Sequence, residues 1–238
     1  MNDNFPSPTT FPPFTPRIYG SCTPYDSSET ARLVFTDRFV SPDSNRLLFT
    51  GSLSKSSSAE PISVLVKLVN GEYGKDVHHL LAKHDLAPML LAHSAVKGAP
   101  TAYIMEYLDP SSWKPLSGVL PHPNATASII LSIDKVIKIL QKNGAVHGDL
   151  RPPNIMINVS PTAEIILVED ETKKMRAKIK VVDFDWAGAS GQVFYPLSRN
   201  QDIAGVSWPG KPGGMINKDH DRKLFNSWWP NLVSAWSG

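Results

Sequence analysis

The strongest constraint on the fold is a change of sequence pattern near residue 109 of the 238-residue chain. Before this point, short runs of apolar and β-branched residues alternate with turn-forming residues, a pattern that predicts β-strands. The predicted strands cover residues 32–36, 46–50, 62–69, 89–93 and 102–108. Composition predicts a turn at residues 41–45 and a loop over residues 52–58.

Helical periodicity appears in two places. Residues 73–84 place valine and leucine on one helical face, and Pro88 is expected to end this helix. Residues 125–142 carry a continuous apolar stripe, and Asn143 and Gly144 come directly after it as a stop signal. This second segment is the clearest helix in the chain.

The order of these elements predicts an α+β protein with two lobes. Residues 109–124 hold four prolines and are expected to form a hinge or linker. After the second helix, a strand pair at residues 155–158 and 178–182 is expected to enclose a charged hairpin insert. The predicted parts are a disordered proline-rich leader (1–17), a β-rich N-lobe (18–108), the linker (109–124) and a shortened α-rich C-lobe (125–238).

Composition excludes several classes of protein. Cys22 is the only cysteine, so neither an internal disulfide nor a cysteine-rich metal site is expected. The formal net charge of +2, without a dense basic cluster, argues against nucleic-acid and membrane partners. The chain has no long apolar run and no secretory signal, so we expect a cytoplasmic or nuclear protein that is not secreted.

The most specific motif is HGDLRPPN at residues 147–154. It fits the pattern H-x-D-L-x-x-x-N, in which Asp149 precedes Asn154 by five residues. His147 is interpreted as a structural brace of this loop. The neighbouring segments give the motif its weight, because they occur in a definite order along the chain.

Upstream, residues 64–67 read VLVK, so that Lys67 lies near the end of a predicted buried strand. The segment from Glu106 to Leu108 comes after another predicted strand. Downstream, VVDFD places Asp183 directly after an apolar run. The apolar helix over residues 125–142 comes just ahead of the central motif.

With these segments in this order, residues 30–225 resemble the protein kinase superfamily. Residues 147–154 match its catalytic loop, VLVK its V-A-I-K strand and Asp183-Phe184 the start of its D-F-G segment. The resemblance implies a two-lobed kinase-like fold and a phosphotransferase that uses ATP and Mg²⁺. The acceptor, a protein serine or threonine or a small-molecule hydroxyl, is left open.

The resemblance also implies roles for individual residues. Asp149 would orient the acceptor hydroxyl and take its proton, and Arg151 would neutralise the γ-phosphate. Asn154 and Asp183 are hard oxygen donors suited to magnesium. Because phosphoryl transfer depends mainly on positioning and charge neutralisation, these residue types fit the chemistry.

The nucleotide itself is expected to involve other residues. Lys67 would hold the phosphate groups, and Glu106 and Leu108 lie where the kinase hinge comes after a strand. Asp76 is the preferred partner of Lys67, because it shares a helical face with the apolar residues, and Glu72 is the alternative.

The sequence departs from the kinase pattern in three places. No G-x-G-x-x-G lies between the first two predicted strands, the helix after Lys67 has no unambiguous glutamate, and the C-lobe is short. Gly148 and Trp186 also resemble positions of aminoglycoside and choline phosphotransferases. The combination of residues 85–88, residues 183–188 and His220-Asp221 is most similar to short kinase-like proteins of fungi.

This pattern supports two functional hypotheses. The first is an active kinase, which the retention of Lys67, Asp149, Asn154 and Asp183 favours. The second is a pseudokinase that serves as a nucleotide-binding or scaffold module, which the missing glycine loop favours.

Overall fold

The computed structural model describes residues 16–39, 47–55, 60–119 and 125–236. The chain forms two compact units. Unit 1 comprises the described residues up to Gly71 together with Leu91–Tyr107, and unit 2 comprises Glu72–Leu90 and the described residues from Leu108 onward. The predicted turn at residues 41–45 and most of the predicted leader lie outside the described residues.

Unit 1 is built on a closed barrel of six strands. The strands are β1 (Ser21–Pro24), β2 (Ala31–Arg38), β3 (Leu48–Ser54), β4 (Ile62–Val69), β5 (Leu90–Ser94) and β6 (Thr101–Glu106). Their order around the barrel is β1-β2-β3-β4-β6-β5. The mostly β part predicted from the sequence is confirmed by these strands.

Strand β4 is an interior strand of the barrel. It pairs antiparallel with β3 on one side and with β6 on the other. Its alternating residues Val64 and Val66 are fully buried, because they face the barrel core that Tyr19, Phe49 and Ile104 also fill. A buried apolar strand of this kind matches the prediction made for residues 62–69.

The loop predicted over residues 52–58 is wrong for its first part. Serine-rich composition suggested a loop, but β3 continues to Ser54. Ser52 pairs with Val34 on one side and Ser63 on the other, so that backbone hydrogen bonding on both sides outweighs the low strand propensity of serine. Residues 56–59 lie outside the described residues.

Unit 2 contains three helices and seven short strands within the described residues. The helices are α1 (Lys75–Ala82), α2 (Thr126–Lys142) and α3 (His220–Trp236). The strands are β7 (Trp113–Pro115), β8 (Ala145–Val146), β9 (Ile155–Asn158), β10 (Leu167–Glu169), β11 (Met175–Ala177), β12 (Ile179–Val181) and β13 (Gly188–Ala189).

Helix α2 is the centre of the unit 2 core. Its apolar stripe is almost fully buried, with Ile129, Ile133, Val136 and Ile137 at 0% exposure. The helix contacts β8, β11 and α3. Its observed bounds differ from the predicted 125–142 by one residue, because a stripe with the 3.6-residue period is a strong signal.

The sheet beside α2 combines strands from both sides of that helix in the chain. Strand β7 precedes α2 and joins β9 and β12 in a three-stranded sheet of order β12-β9-β7, and β10 and β11 form a separate hairpin. Strands β9 and β12 pair antiparallel, with Ile157 opposite Ile179, as the sequence predicted. The predicted linker over residues 109–124 contains β7, which pairs with β9. The lobe boundaries, including the assignment of residues 72–90 to the N-lobe, stay predictions.

Helix α1 is shorter than the predicted 73–84 and ends before Pro88. The chain reverses at Asp85, whose φ of 55° lies in the left-handed region. The Leu86 N–H then donates to Leu81 O at 3.0 Å, which satisfies a terminal helix carbonyl. A left-handed aspartate rather than the proline therefore ends this helix.

Within the described residues, none of the helices combines the length and apolar character needed to cross a membrane.

Gly74 stands at the N-cap of α1 in a position without room for a side chain. Its N–H donates to Phe184 O at 3.0 Å. A Cβ at this position would lie 2.5 Å from Ala187 O and 2.8 Å from Phe184 O. Its φ of −71° is ordinary, so any cost of substitution is steric.

We therefore expect Gly74→Ala to lower the free energy of unfolding of unit 2 by about 1–3 kcal/mol, as overpacking does. Urea denaturation followed by tryptophan fluorescence reports on unit 2 alone, since all six tryptophans belong to it. Gly118→Ala is the matched control, because its nearest new contact is Pro115 Cγ at an ordinary 3.7 Å. Equal midpoints for Gly74→Ala and wild type would contradict the expectation.

Candidate active site

The loop at residues 147–154 is enclosed by unit 2. It runs from the end of β8 through a single 3₁₀ turn at Pro152–Asn154 into β9. Residues 145–150 are all buried. Two prolines at the start of the turn fix φ near its helical value, and the Asn154 N–H closes the turn by donating to Arg151 O at 2.9 Å.

The first half of the loop is held by Asp221, in the first turn of α3. Its Oδ2 accepts a hydrogen bond from the His147 N–H at 2.8 Å, and its Oδ1 accepts one from the Gly148 N–H at 2.9 Å. Asp221 is 2% exposed. Burial raises the pKa of Asp221, and the proximity of His147 together with the two backbone donors opposes that shift.

Gly148 is required by both backbone conformation and space. Its φ of 80° lies in the left-handed region. A Cβ would also lie 2.9 Å from Ile216 Cδ1 and 3.1 Å from Trp186 O. The glycine thus allows the tight bend that presents two consecutive N–H groups to Asp221.

The structure brings the predicted residues Asp149, Arg151 and Asn154 together. Asp149 is 3% exposed, and its Oδ1 accepts a hydrogen bond from Arg151 Nε. Its Oδ2 accepts one from Arg151 Nη2 at 2.9 Å and one from Asn154 Nδ2 at 2.8 Å. The Asn154 amide also donates to Asp149 O at 2.9 Å. The carboxylate is therefore fixed by a bidentate guanidinium and by an amide.

Asp183 comes after β12, beside the end of this loop. The Val182 N–H donates to Asn154 O at 2.9 Å, so the two segments are joined by a backbone hydrogen bond. Asp183 has a φ of 72°, an unusual value for a non-glycine residue that is typical of functional positions.

The next residue, Phe184, anchors this turn. It is fully buried and stacks on the His78 ring at a centroid distance of 4.3 Å and an angle of 7°. His147 meets the same phenyl ring edge-on at 5.1 Å. His147 is thus a packed residue, as the sequence interpretation held. His78 was not anticipated, since the helical pattern of α1 gave no sign that a polar residue would be buried.

The donor set near the loop end fits a hard divalent cation. The two hydrogen bonds made by Asn154 Nδ2 leave the amide oxygen unused by Asp149, and Asp183 adds a carboxylate. Within the described ranges, no group of three or more histidine, cysteine, aspartate or glutamate side chains could hold a metal ion. The pair proposed here consists of one asparagine and one aspartate, which is a different kind of donor set. Asn154 and Asp183 therefore stay predicted metal ligands.

The other predicted site residues are distributed over both units. Lys67 on β4 is 6% exposed and is paired with Leu48 on β3 and Tyr103 on β6. It therefore differs from the lysines near strand ends that extend their charge into solvent. Glu106 is the last residue of β6, and Leu108 lies just beyond that strand. Asp76 is exposed on the first turn of α1, within unit 2.

Asp76 also lines a cavity of about 610 Å³ in unit 2. Glu72 and Asp185 line the same cavity, whereas the residues around it do not include Asp149 or Asn154. The assignment of Asp76 or Glu72 as partner of Lys67 stays a prediction.

Comparison with known proteins agrees with this geometry at the level of the fold. No protein-family model matches the chain, and no curated protein matches it by sequence. The solved structure of the kinase PK-1 of the Cydia pomonella granulovirus is similar, with a TM-score of 0.55, 16% identity, 85% of this chain covered and 69% of that one. Vaccinia related kinase 3 is similar with a TM-score of 0.52, 13% identity and coverages of 90% and 67%.

The fold is therefore protein-kinase-like. This confirms the predicted α+β kinase-like architecture, including its shortened helical part. At these identities the likeness concerns the fold, and the function has to be argued from the side chains.

The Asp221 contact yields a test of how the loop is held. Asp221→Asn keeps one acceptor oxygen but sets an NH₂ group against a backbone N–H, leaving a buried donor without a partner. We expect the free energy of unfolding of unit 2 to fall by about 1–3 kcal/mol, measured by urea denaturation and tryptophan fluorescence.

The matched control for this test is Asp219→Asn, two residues away. Asp219 is half-exposed and pairs with Lys223 at 2.6 Å on the surface, where such pairs contribute little. If both variants unfolded at the same urea concentration, Asp221 would not be the anchor of the loop.

Proposed function

We propose that the protein is a phosphotransferase that uses ATP and Mg²⁺ and transfers the γ-phosphate to a hydroxyl acceptor. The observation that carries this proposal is the constrained carboxylate of Asp149, which Arg151 and Asn154 hold from two directions. A buried carboxylate kept in one orientation is what a group that positions a hydroxyl requires.

The hydrogen bonds of Asp149 leave room for an acceptor. A carboxylate offers about four acceptor positions. Arg151 and Asn154 together use three of them on the side-chain oxygens. The remaining position is available for the proton of an acceptor hydroxyl, which Asp149 takes as the oxygen becomes the nucleophile.

Arg151 has two functions in this proposal. Its bidentate contact sets the plane of the Asp149 carboxylate. Its permanent positive charge also stabilises the negative charge that develops during transfer, as the kinase resemblance implies.

ATP supplies the phosphoryl group, and Mg²⁺ neutralises the charge of its phosphates. Asn154 and Asp183 would hold the metal through oxygen atoms, and Lys67 would bind the phosphates. Asp76, Glu106 and Leu108 are assigned to nucleotide binding on the kinase resemblance alone. The acceptor is a protein serine or threonine or a small-molecule alcohol, and a cytoplasmic or nuclear location is proposed with it.

Asp149→Asn tests the proposed chemistry. The amide keeps the size of the side chain but cannot take a proton, so turnover of radiolabelled ATP should fall by about 10²- to 10⁴-fold. ATP affinity should stay near the wild-type value, because a group that acts in the transition state contributes little to ground-state binding. Asp219→Asn serves as the control.

If the Asp149→Asn variant turned over ATP as fast as the wild type, the assignment of residues 147–154 as a catalytic loop would be wrong. If the wild-type protein bound ATP but neither transferred its phosphate to an acceptor nor hydrolysed it, the protein would be a nucleotide-binding module rather than an enzyme.

Asp183→Asn should affect binding as well as turnover. Replacing a carboxylate by an amide weakens a magnesium ligand, so the rise in melting temperature that ATP causes should become nearly the same with Mg²⁺ as with EDTA. The wild type should show a clearly larger rise with Mg²⁺. Equal wild-type shifts in both conditions would refute the metal assignment.

A further inference from the structure

Arg199 is a buried cation whose hydrogen bonding is incomplete. It is 7% exposed and lies in the segment of residues 190–219, where the described strand pairing is limited to the short bridge between Phe194 and Met215. Its Nη2 donates to Gly210 O at 2.7 Å. Its Nε and Nη1, which carry more than half of the guanidinium N–H donors, are buried without a partner among the described residues.

Two aromatic rings hold the guanidinium in place. Its Cζ lies 4.4 Å from the ring centroid of Tyr195 and 4.4 Å from that of Trp208. The two rings meet at 70°, so Arg199 occupies the corner between them. Such contacts offset part of the cost of removing the charge from water, but they satisfy no N–H group.

Trp208 links this corner to the proposed catalytic residues. The guanidinium of Arg151, which binds Asp149, lies 5.1 Å from the centroid of the same indole. Both arginines are thus neighbours of one ring. Burial lowers the pKa of Arg199, and the Tyr195 hydroxyl and the Asp149 carboxylate oppose this shift, which indicates that Arg199 is within electrostatic reach of Asp149.

The charge of Arg199 is not paired with a carboxylate within the described residues. Arg151 already uses both Asp149 oxygens, and no carboxylate of the described residues forms an ion pair with Arg199. A buried donor without a partner costs about 1–3 kcal/mol, and more when it is charged. A bound anion would remove this cost by accepting hydrogen bonds from Nε and Nη1 of Arg199.

We propose that Arg199 is an anion-binding residue of the acceptor site and recognises a phosphate or carboxylate group carried by the acceptor, close to the hydroxyl that Asp149 positions. This inference rests on the proposed function and specifies its acceptor as an anionic molecule. The planar fork of arginine donors matches either oxyanion.

Trp208 acts as a cover of this site. Nε and Nη1 of Arg199 are buried, and the Tyr195 and Trp208 rings lie against the guanidinium, so the inference requires one ring to move when an anion binds. Trp208 is half-buried and is held by a hydrogen bond from its Nε1 to Asn200 O at 3.1 Å. Tyr195 is 2% exposed and belongs to a buried cluster with Val146 and Ile216, against which Trp208 packs as a partly buried neighbour, so Trp208 is the less enclosed of the two rings.

The test is direct binding of inorganic phosphate, and separately of acetate, by calorimetry in low salt without nucleotide or metal. At least one should bind the wild type. Arg199→Met should weaken that binding by at least tenfold, and Trp208→Ala should strengthen it several-fold because no cover has to move. A gain of affinity cannot result from loss of folding, so the pair of variants stays informative if Arg199→Met is destabilised.

Two controls separate this site from other cationic positions. Arg222→Met removes an arginine that is paired with Asp134, and should bind the anion like wild type. Lys67→Met is the second control, because Lys67 is the residue proposed to bind the ATP phosphates and would hold the anion if the probe bound at the nucleotide site. Loss of binding in Lys67→Met with retention in Arg199→Met would overturn the proposal, as would absence of binding of both anions or weaker binding by Trp208→Ala.

Because this measurement uses neither ATP nor turnover, its outcome is independent of catalysis. Anion binding at Arg199 in a protein without phosphotransfer would support the site and refute the proposed function. Phosphotransfer without anion binding would support the proposed function and refute the anion site at Arg199.

Discussion

The contact on which the candidate site depends is the pair of hydrogen bonds between the Asp221 carboxylate and two consecutive backbone N–H groups. It joins the start of α3 to a loop more than 70 residues earlier in the chain. These two hydrogen bonds stabilise the bend at Gly148, after which Asp149 contacts Arg151 and Asn154. One buried carboxylate therefore fixes the direction of another.

A second constraint comes from the rings around Phe184. His78 from α1 and His147 from the loop pack against the same phenyl group, and the Gly74 N–H donates to its carbonyl oxygen. The turn that carries Asp183 is thereby tied to both α1 and the loop. Close packing of this type has few alternative arrangements, which explains why a left-handed backbone is maintained at Asp183.

The sequence was sufficient to predict the parts that have strong local signals. Helix α2 and strand β4 were predicted almost residue by residue, because a long apolar stripe and a buried β-branched run leave few alternatives. The grouping of Asp149, Arg151 and Asn154 was also predictable, since eight consecutive residues contain all three. The resemblance of motif order, rather than any single motif, made the kinase-like fold predictable.

The remaining features depend on contacts that are distant in sequence. Arg199 and Trp208 lie in a stretch without periodicity, so nothing local indicates that the Trp208 ring contacts the guanidinium groups of both Arg199 and Arg151. Helix α1 ends at Ala82 and the chain then reverses at Asp85, a left-handed residue that composition does not reveal. Ser52 to Ser54 became strand residues only because β3 has a partner on each side.

The burial of Asp221 has a consequence for behaviour in acid. Its raised pKa means that the folded protein binds this proton more tightly than the unfolded chain, so its contribution to stability is complete at low pH and declines as pH rises through the folded value. Asp170 shows the opposite pH dependence. Hydrogen-bond donors of Thr172, Lys174 and Arg176 lower its pKa, so its contribution to stability is lost as pH falls. Acidification should therefore loosen the surface hairpin that Asp170 organises, while the contribution of Asp221 to stability stays complete.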